Sequence, residues 1–205
     1  MSDDAANSLG TLIVAASLFA FITRRVGDGE TESLDQGVRG WMRAHRTPRR
    51  DAIAEPVKVA SMPAVVVPAA LAAAWWVWRR RGGRPALALV AAPALAATAG
   101  LACSTLLAQR NPPDADDAPD GEVTDPSFPS GHTTGVTAEA LSVAFVLSRE
   151  GLGSPGALAA LLGWPLLVGV TRVYRDRHWA TDVMGGWASG AAVAAACWLL
   201  YTAAR

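Results

Sequence analysis

The sequence predicts an all-α, polytopic membrane protein whose chain crosses the bilayer six times. Hydrophobic residues make up 51% of the 205 residues, and the mean hydropathy is positive at +0.24. Six apolar runs are separated by polar segments, and each approaches the roughly 20 residues that a helix needs to cross a bilayer core. The formal net charge of zero provides no long-range field for nucleic acid. We therefore expect one membrane-embedded domain over residues 1–205, with the lipid bilayer and not nucleic acid as its partner.

The apolar runs place the six spans along the chain. The first run is short for a span, and Asp3 and Asp4 stand where a signal peptide would carry basic residues. Pro63 and Pro68 should kink the second run. The sixth run is rich in Ala and Gly, which permits close packing of helices. The predicted spans cover residues 9–23, 57–78, 85–108, 133–148, 157–173 and 179–201.

A separate helix is predicted at residues 33–46, between the first and second spans. Ser33 and Gln36 have the spacing of a capping box at its start. Its apolar residues share one face, which is typical of an interfacial helix lying on the membrane; an amphipathic helix packed on the loops would show the same pattern. Thr47 followed by Pro48 indicates a second helix start. The apolar residues are Leu34, Val38, Trp41 and Met42, and the arginines, largely elsewhere, are Arg39, Arg43 and Arg46.

The predicted topology brings three polar clusters to one membrane face. With six spans, the connection between spans three and four lies on the same side as the connection between spans five and six. The first of these ends in FPSGHTTG at residues 128–135, and the second contains TRVYRDRHWATDV at residues 171–183. The C-terminal end of span three, which carries Arg110, meets them there. We therefore expect residues that are far apart in sequence to form a single site.

Two histidines of this site suit nucleophilic and acid–base chemistry. His178 and Asp182 are four residues apart, so on a helix they would share a face. A carboxylate bonded to one ring nitrogen fixes the tautomer and makes the other nitrogen a better nucleophile. His132 is a second titratable group that is available as a general acid.

The other polar residues suit a bound anion. Arg110 and Arg172 carry guanidinium groups, whose fixed donors match phosphate oxygens. Ser130 and Gly131 precede a helix start, where free N–H groups and the helix dipole favour an anion. An anion cradle, a nucleophile and an acid together predict phosphoryl transfer through a phosphohistidine.

These motifs resemble those of the type-2 phosphatidic acid phosphatase family, which shares a core with bacterial acid phosphatases and vanadium haloperoxidases. The family carries K-x6-R-P, P-S-G-H and S-R-x5-H-x3-D motifs. The second is intact at residues 129–132, and the third matches here with Thr171 in place of its serine. The resemblance implies a hydrolase without metal or cofactor, with His178 as the nucleophile, Asp182 as its orienting partner and His132 as the acid. The implied phosphate ligands are Arg110, Arg172, Ser130 and Gly131.

The first motif departs from the family pattern. Asn111 follows Arg110 where proline is usual, and Cys103 occupies the lysine position, so one cationic ligand is missing. Arg175 and Arg177, just before the implied nucleophile, are the nearest candidates to replace it. Arg175 is preferred, because three residues before the nucleophile it would share its face if the helix extended back that far.

Glu139 lies inside the predicted fourth span, where an ionisable side chain is unusual and indicates a functional residue. It follows His132 by seven residues, which places it on the same helix face about 10 Å deeper. A structural role, with the carboxyl protonated and bonded to neighbouring hydroxyls, is the alternative. The acidic stretch at residues 114–125 lacks a complete calcium-loop pattern and is expected to be a solvated loop.

A site at the membrane face suits a substrate with an acyl or prenyl tail in the bilayer and a phosphate at its surface. Polyprenyl diphosphate is our first choice, followed by phosphatidate and phosphatidylglycerophosphate. A lipid phosphotransferase is one alternative, and a non-catalytic lipid-phosphate binding or transport protein, suggested by Cys103, is another. The resemblance implies a site on the outer face of a plasma or inner membrane. Arginines occur in connections on both sides of the predicted topology, so the positive-inside rule does not assign the orientation of the chain in the membrane.

Overall fold

The computed structural model describes residues 3–106, 112 and 127–203, with the side chains of residues 104–106 and 203 excluded. These residues form eight α-helices and no strand, which confirms the all-α class. The helices are α1 (Asp3–Gly27), α2 (Glu32–Ala44), α3 (Pro48–Ala60), α4 (Pro63–Arg81), α5 (Gly83–Leu106), α6 (Gly131–Arg149), α7 (Pro155–Tyr174) and α8 (Ala180–Ala203).

Four of these helices, α1, α5, α7 and α8, are long and apolar enough to cross a membrane. The α3–α4 pair adds a fifth crossing if the two helices are taken as one bent span. The remaining predicted span corresponds to α6, which carries His132, three threonines and Glu139 and is too polar to count among them. A polytopic membrane protein is thus confirmed, whereas the number of six spans stays a prediction.

The second predicted span is broken and not merely kinked. α3 ends at Ala60 and α4 begins at Pro63, with a bend of 57° between the two helices. Proline has no N–H to continue the hydrogen bonding of α3, and it holds Met62 in an extended conformation (φ −67°, ψ 145°). Pro68 lies inside α4 without ending it. The break gives α3 its own direction, and α3 packs on α7.

The capping box predicted at Ser33 is wrong. α2 begins at Glu32, and its N-cap residue Thr31 has a helical conformation with no side-chain cap hydrogen bond. The Thr31 carbonyl already accepts the N–H of Asp35, so Ser33 lies within the first turn, beyond the capping position. The helix also ends at Ala44, before the predicted end at residue 46. The start predicted from Thr47 and Pro48 is confirmed, because the Thr47 side chain accepts the N–H of Arg50 and Pro48 opens α3.

Close packing of α8 on α6 brings the two central polar segments together. A Cβ atom added at Gly186 would lie 2.8 Å from the Cβ of Thr133, and one added at Gly190 would lie 2.6 Å from the carbonyl oxygen of Thr134. The two backbones can approach this closely only because these positions have no side chain. The starts of α6 and α8 therefore lie side by side, as the Ala- and Gly-rich composition of the sixth run predicts.

Candidate active site

The start of α6 is bound directly to the start of α8. The N–H of Ser130 donates to the carbonyl oxygen of Asp182 at 3.0 Å. The Ser130 side chain is fully buried and caps α6, accepting from the N–H of Thr133 at 3.5 Å and from the Thr133 hydroxyl at 3.0 Å. Gly131 is the first residue of the helix. The P-S-G-H segment is thus held in place by the segment that carries the third motif.

His178 lies in the loop between α7 and α8, with its side chain 10% exposed. Its Nδ1 is 3.0 Å from the carbonyl oxygen of Ser127 and 3.7 Å from Oδ2 of Asp182. Because a carbonyl oxygen can only accept, Nδ1 is the donor in this bond, and Nε2 is the ring nitrogen left for other chemistry. Ser127 is a partner that the sequence analysis missed, since a backbone carbonyl 51 residues away leaves no signal in the side chains.

Asp182 is fully buried, and its position follows from helix capping. Its Oδ2 accepts the N–H of Trp179 at 2.8 Å, which satisfies a free donor at the start of α8. The predicted helix face shared by His178 and Asp182 is wrong, because α8 begins at Ala180 and His178 precedes it. The same fact removes the reason for preferring Arg175, since the helix does not extend back to it. Asp182 still lies beside His178, as a neighbouring negative charge.

Several basic side chains converge on His132, which lies in the first turn of α6. The charges of Arg172, His178 and Lys58 all act on its imidazole. Arg172 is 5% exposed and lies in the last turn of α7. Two of the three predicted polar clusters therefore gather at one site, and Arg110 of the third lies outside the described residues. Lys58 was not among the residues that the sequence predicted for this site.

Arg175 and Arg177, the other arginines predicted to belong to the site, make contacts of their own. Arg175 ends α7 and forms an ion pair with Glu55 of α3. The N–H of Arg177 donates to the carbonyl oxygen of Arg172 at 3.1 Å, and burial lowers the pKa of the Arg177 guanidinium. The acidic stretch at residues 114–125 lies outside the described residues.

Glu139 is 7% exposed, and within the described part of the chain neither of its carboxyl oxygens has a hydrogen-bond partner. The predicted bonds to neighbouring hydroxyls are therefore not seen. The carboxyl group lines a cavity of about 260 Å³, and the other lining side chains, from α3, α4, α6 and α7, are apolar. Glu139 thus belongs to the apolar interior below the site.

A second cavity, of about 330 Å³, reaches His132 from between α4, α5 and α6. Apart from His132 and Ser61, its lining residues are glycines, prolines and small or branched aliphatic residues. Such a cavity accommodates a hydrocarbon chain next to a polar site. It therefore places an apolar cavity beside the polar residues around His132.

Helix α2 turns its polar side towards the start of α8 and the loop that precedes it. Asp35, 1% exposed, accepts from the N–H of Thr181 at 3.0 Å and from the Thr181 hydroxyl at 2.8 Å. These bonds fix the first turn of α8, one residue before Asp182. Leu34 and Trp41 are 49% and 57% exposed on the outward side. Sequence analysis found the two faces of the helix but not that the polar face is the inner one.

The loop itself is clamped by arginines from α2 and from the residues that follow it. Asp176 has a left-handed backbone (φ 58°), which is uncommon for a residue other than glycine. Its carboxylate binds Arg39 Nε at 2.9 Å and Arg46 Nη2 at 3.1 Å, and Arg46 also donates to the carbonyl oxygen of Tyr174 at 2.7 Å. The loop that presents His178 is therefore held from outside the family motifs.

Replacing Asp35 by alanine should weaken both the fold and the site. The buried N–H and hydroxyl of Thr181 would lose a charged acceptor, and each such bond contributes about 1.5–3 kcal/mol. We expect a lower melting temperature and a lower kcat with little change in KM, and partial recovery in Asp35→Asn. Glu32→Ala is the matched control, because Glu32 is an exposed acid in the same helix. Equal effects of the two alanine variants would contradict a role for Asp35 in positioning α8.

Comparisons with known proteins show the family and the fold. A model of the PAP2 superfamily matches residues 85–205, which is more than half of the chain. No curated protein sequence matches. The fold is similar to that in the crystal structure of the first transmembrane PAP2 type phosphatidylglycerolphosphate phosphatase from Bacillus subtilis, with a TM-score of 0.80 and 17% sequence identity. The alignment covers 91% of this chain and 94% of that one.

Proposed function

The chain belongs to the PAP2 superfamily, and on this premise we propose that it hydrolyses a lipid phosphate or diphosphate through a phosphohistidine on His178. The observation that carries the proposal is the hydrogen bond from His178 Nδ1 to the Ser127 carbonyl oxygen. With Nδ1 held by this bond, the neutral ring has its lone pair on Nε2, which attacks phosphorus, while Asp182 stabilises the positive charge that develops on the ring. Metal independence is part of the proposal.

The proposed reaction has two steps. In the first, Nε2 of His178 forms a bond to phosphorus, the bond from phosphorus to the leaving oxygen breaks, and His132 gives its proton to that oxygen. The negative charge of the bound phosphate favours the protonated form of His132 that this step needs. In the second, His132 takes a proton from water, the water oxygen attacks phosphorus, and inorganic phosphate leaves His178. Arg172, the Gly131 N–H at the start of α6 and the Ser130 hydroxyl stabilise the charge on the phosphoryl oxygens in both steps, since the Ser130 N–H is already bound to Asp182.

The proposed substrate carries a long hydrocarbon tail. The cavity beside His132 is lined almost entirely by apolar groups and lies between α4, α5 and α6. Polyprenyl diphosphate remains our first choice. Phosphatidylglycerophosphate is the second, because the similar structure is that of a phosphatase for this lipid.

The proposed topology has six spans, with α6 as the fourth and the bent α3–α4 pair as the second. α6 lies against α5, α7 and α8, so the protein itself shields its polar residues. α2 lies at the membrane interface, because its polar side binds the catalytic loop and its outward Leu34 and Trp41 face the lipid. We place the site on the outer face of the plasma or inner membrane. A C-terminal reporter that is active only in the cytoplasm tests this orientation, because six spans and an outer site require a cytoplasmic C-terminus. An inactive reporter would indicate the opposite orientation.

A panel of lipid substrates tests the proposed function. The purified protein in detergent should release inorganic phosphate from at least one of polyprenyl diphosphate, phosphatidate and phosphatidylglycerophosphate, and it should do so in the presence of a metal chelator. His178→Ala is the control for contaminating phosphatases. Phosphate that appears only on an added lipid or sugar acceptor would identify a phosphotransferase instead. Tight binding of these lipids without any release would identify a binding protein.

A further inference from the structure

Lys58 is the only lysine of the chain, and it is 8% exposed. It lies near the end of α3, and its carbonyl oxygen accepts the Ser61 hydroxyl at 2.9 Å. Burial of an ammonium group costs free energy unless a negative group compensates for it, so lysines are among the residues least often buried. A buried lysine is therefore uncommon, which makes Lys58 a candidate for a functional role.

The residues around Lys58 place it against the candidate active site. The preceding residue, Val57, packs with Val136 of α6 and Val168 of α7 in one buried cluster. These two valines lie one helical turn from His132 and Arg172, respectively. The Lys58 charge acts on His132, together with the charges of Arg172 and His178. α3, α7 and the loop that follows α7 thus each contribute one basic group near this imidazole.

The break in the second span produces this arrangement. Because α3 departs from α4 by 57°, it packs on α7 and not along the line of α4. Ser61, at the break, bonds the Lys58 carbonyl oxygen and also lines the cavity that reaches His132. Because Ser61 follows Lys58 by three residues, the two lie on one side of α3, the side that leads to this cavity.

We propose that Lys58 is a phosphate-binding residue of this active site, supplying from α3 the cationic contact that Cys103 cannot supply from α5. The proposal rests on the proposed function. A phosphate group brings about two negative charges to the site, and the cationic residues around it balance them. The Lys58 ammonium contributes the second charge and hydrogen-bonds a phosphoryl oxygen.

Arg175 is bound to Glu55 and is therefore less suited to contact the phosphate. Arg175, the sequence-based candidate for this role, forms an ion pair with Glu55 on the outer side of α3, where the Glu55 side chain is 55% exposed. The Lys58 charge also acts on Glu55, but that carboxylate is bound by Arg175. The geometry therefore favours Lys58 over Arg175 as the contact to the phosphate.

The test compares Lys58→Met with Arg49→Met, which removes an exposed positive charge from the same helix. Removing one preorganised donor of this kind lowers kcat/KM by about 10²–10³. We expect that loss in Lys58→Met, together with weaker binding of inorganic phosphate by calorimetry, and neither effect in Arg49→Met. Lys58→Arg, which keeps the charge, should retain most of the phosphate affinity. Adding Cys103→Lys to Lys58→Met should restore at least about a tenth of the lost activity.

The outcomes separate this proposal from the proposed function. An active wild type with an equally active Lys58→Met variant that binds phosphate normally would overturn the role of Lys58. A wild type that releases no phosphate from any lipid would overturn the proposed function, and the phosphate affinities of the variants would still decide the role of Lys58. If Lys58→Met does not fold, as judged by its melting temperature, the comparison is made with Lys58→Gln and Lys58→Arg. Equal phosphate binding by those two variants would contradict the need for a charge.

Discussion

Replacing His178 by alanine should abolish phosphate release while the protein still folds and still binds a lipid phosphate. The change removes the attacking nitrogen, and loss of a nucleophile lowers kcat by roughly 10⁴-fold or more. It leaves Arg172, the start of α6 and the apolar cavity in place, so KM or the lipid dissociation constant should change little. Initial rates with the best lipid of the panel, together with lipid binding to the purified variant, measure the two effects.

His45 provides a matched control for this experiment. It is exposed, lies just after α2 and stacks on Trp41 at a centroid distance of 4.4 Å, away from the converging basic groups. His45→Ala should therefore keep normal kinetics. Trapping with acid during turnover should give a phosphorylated wild-type protein and no phosphorylated His178→Ala. Undiminished turnover in His178→Ala would contradict the proposed mechanism.

Replacing His132 by alanine should have an effect that depends on the leaving group. A lipid alcohol is a poor leaving group and needs a proton as the bond to phosphorus breaks, so its hydrolysis should slow by about 10²–10⁴-fold. Nitrophenolate leaves without a proton, so hydrolysis of nitrophenyl phosphate should slow far less. The ratio of kcat/KM for the two substrates, in wild type and variant, measures the difference.

Equal losses on the two substrates would argue against His132 as the acid and for a role in binding alone. Because removing His132 also changes the surroundings of Arg172 and Lys58, His132→Asn serves as a second variant that keeps a polar side chain. It should show the same dependence on the leaving group, since an amide cannot donate a proton in its place.

The helices of this protein could be predicted because their signals are local. The apolar runs give α1, α5, α7 and α8 to within a few residues at most ends, and Thr47 and Pro48 mark the start of α3. The start of α2 is an exception. At Thr31 the turn after α1 already has a helical conformation, so α2 begins before Ser33.

The identity of the site residues could likewise be predicted, whereas their geometry could not. His132, Arg172 and His178 are found from motif spacing and meet in the structure. Their connection depends on bonds across the chain, such as that from Ser130 to Asp182. The variants of His178 and His132 test the roles proposed for these two residues.

The sequence by itself determined the class of the protein, the approximate spans and the residues of the two complete motifs, because each depends on amino acids that are near one another in the chain. Only the tertiary structure decided what holds those residues. The partner of His178 Nδ1 is a backbone carbonyl 51 residues away, and the partner of Thr181 is an aspartate 146 residues away. α3 packs on α7 because it breaks from α4 by 57°. The direction of a helix and the contacts between residues so far apart in the sequence depend on how all the helices pack together. A local sequence pattern does not contain this information.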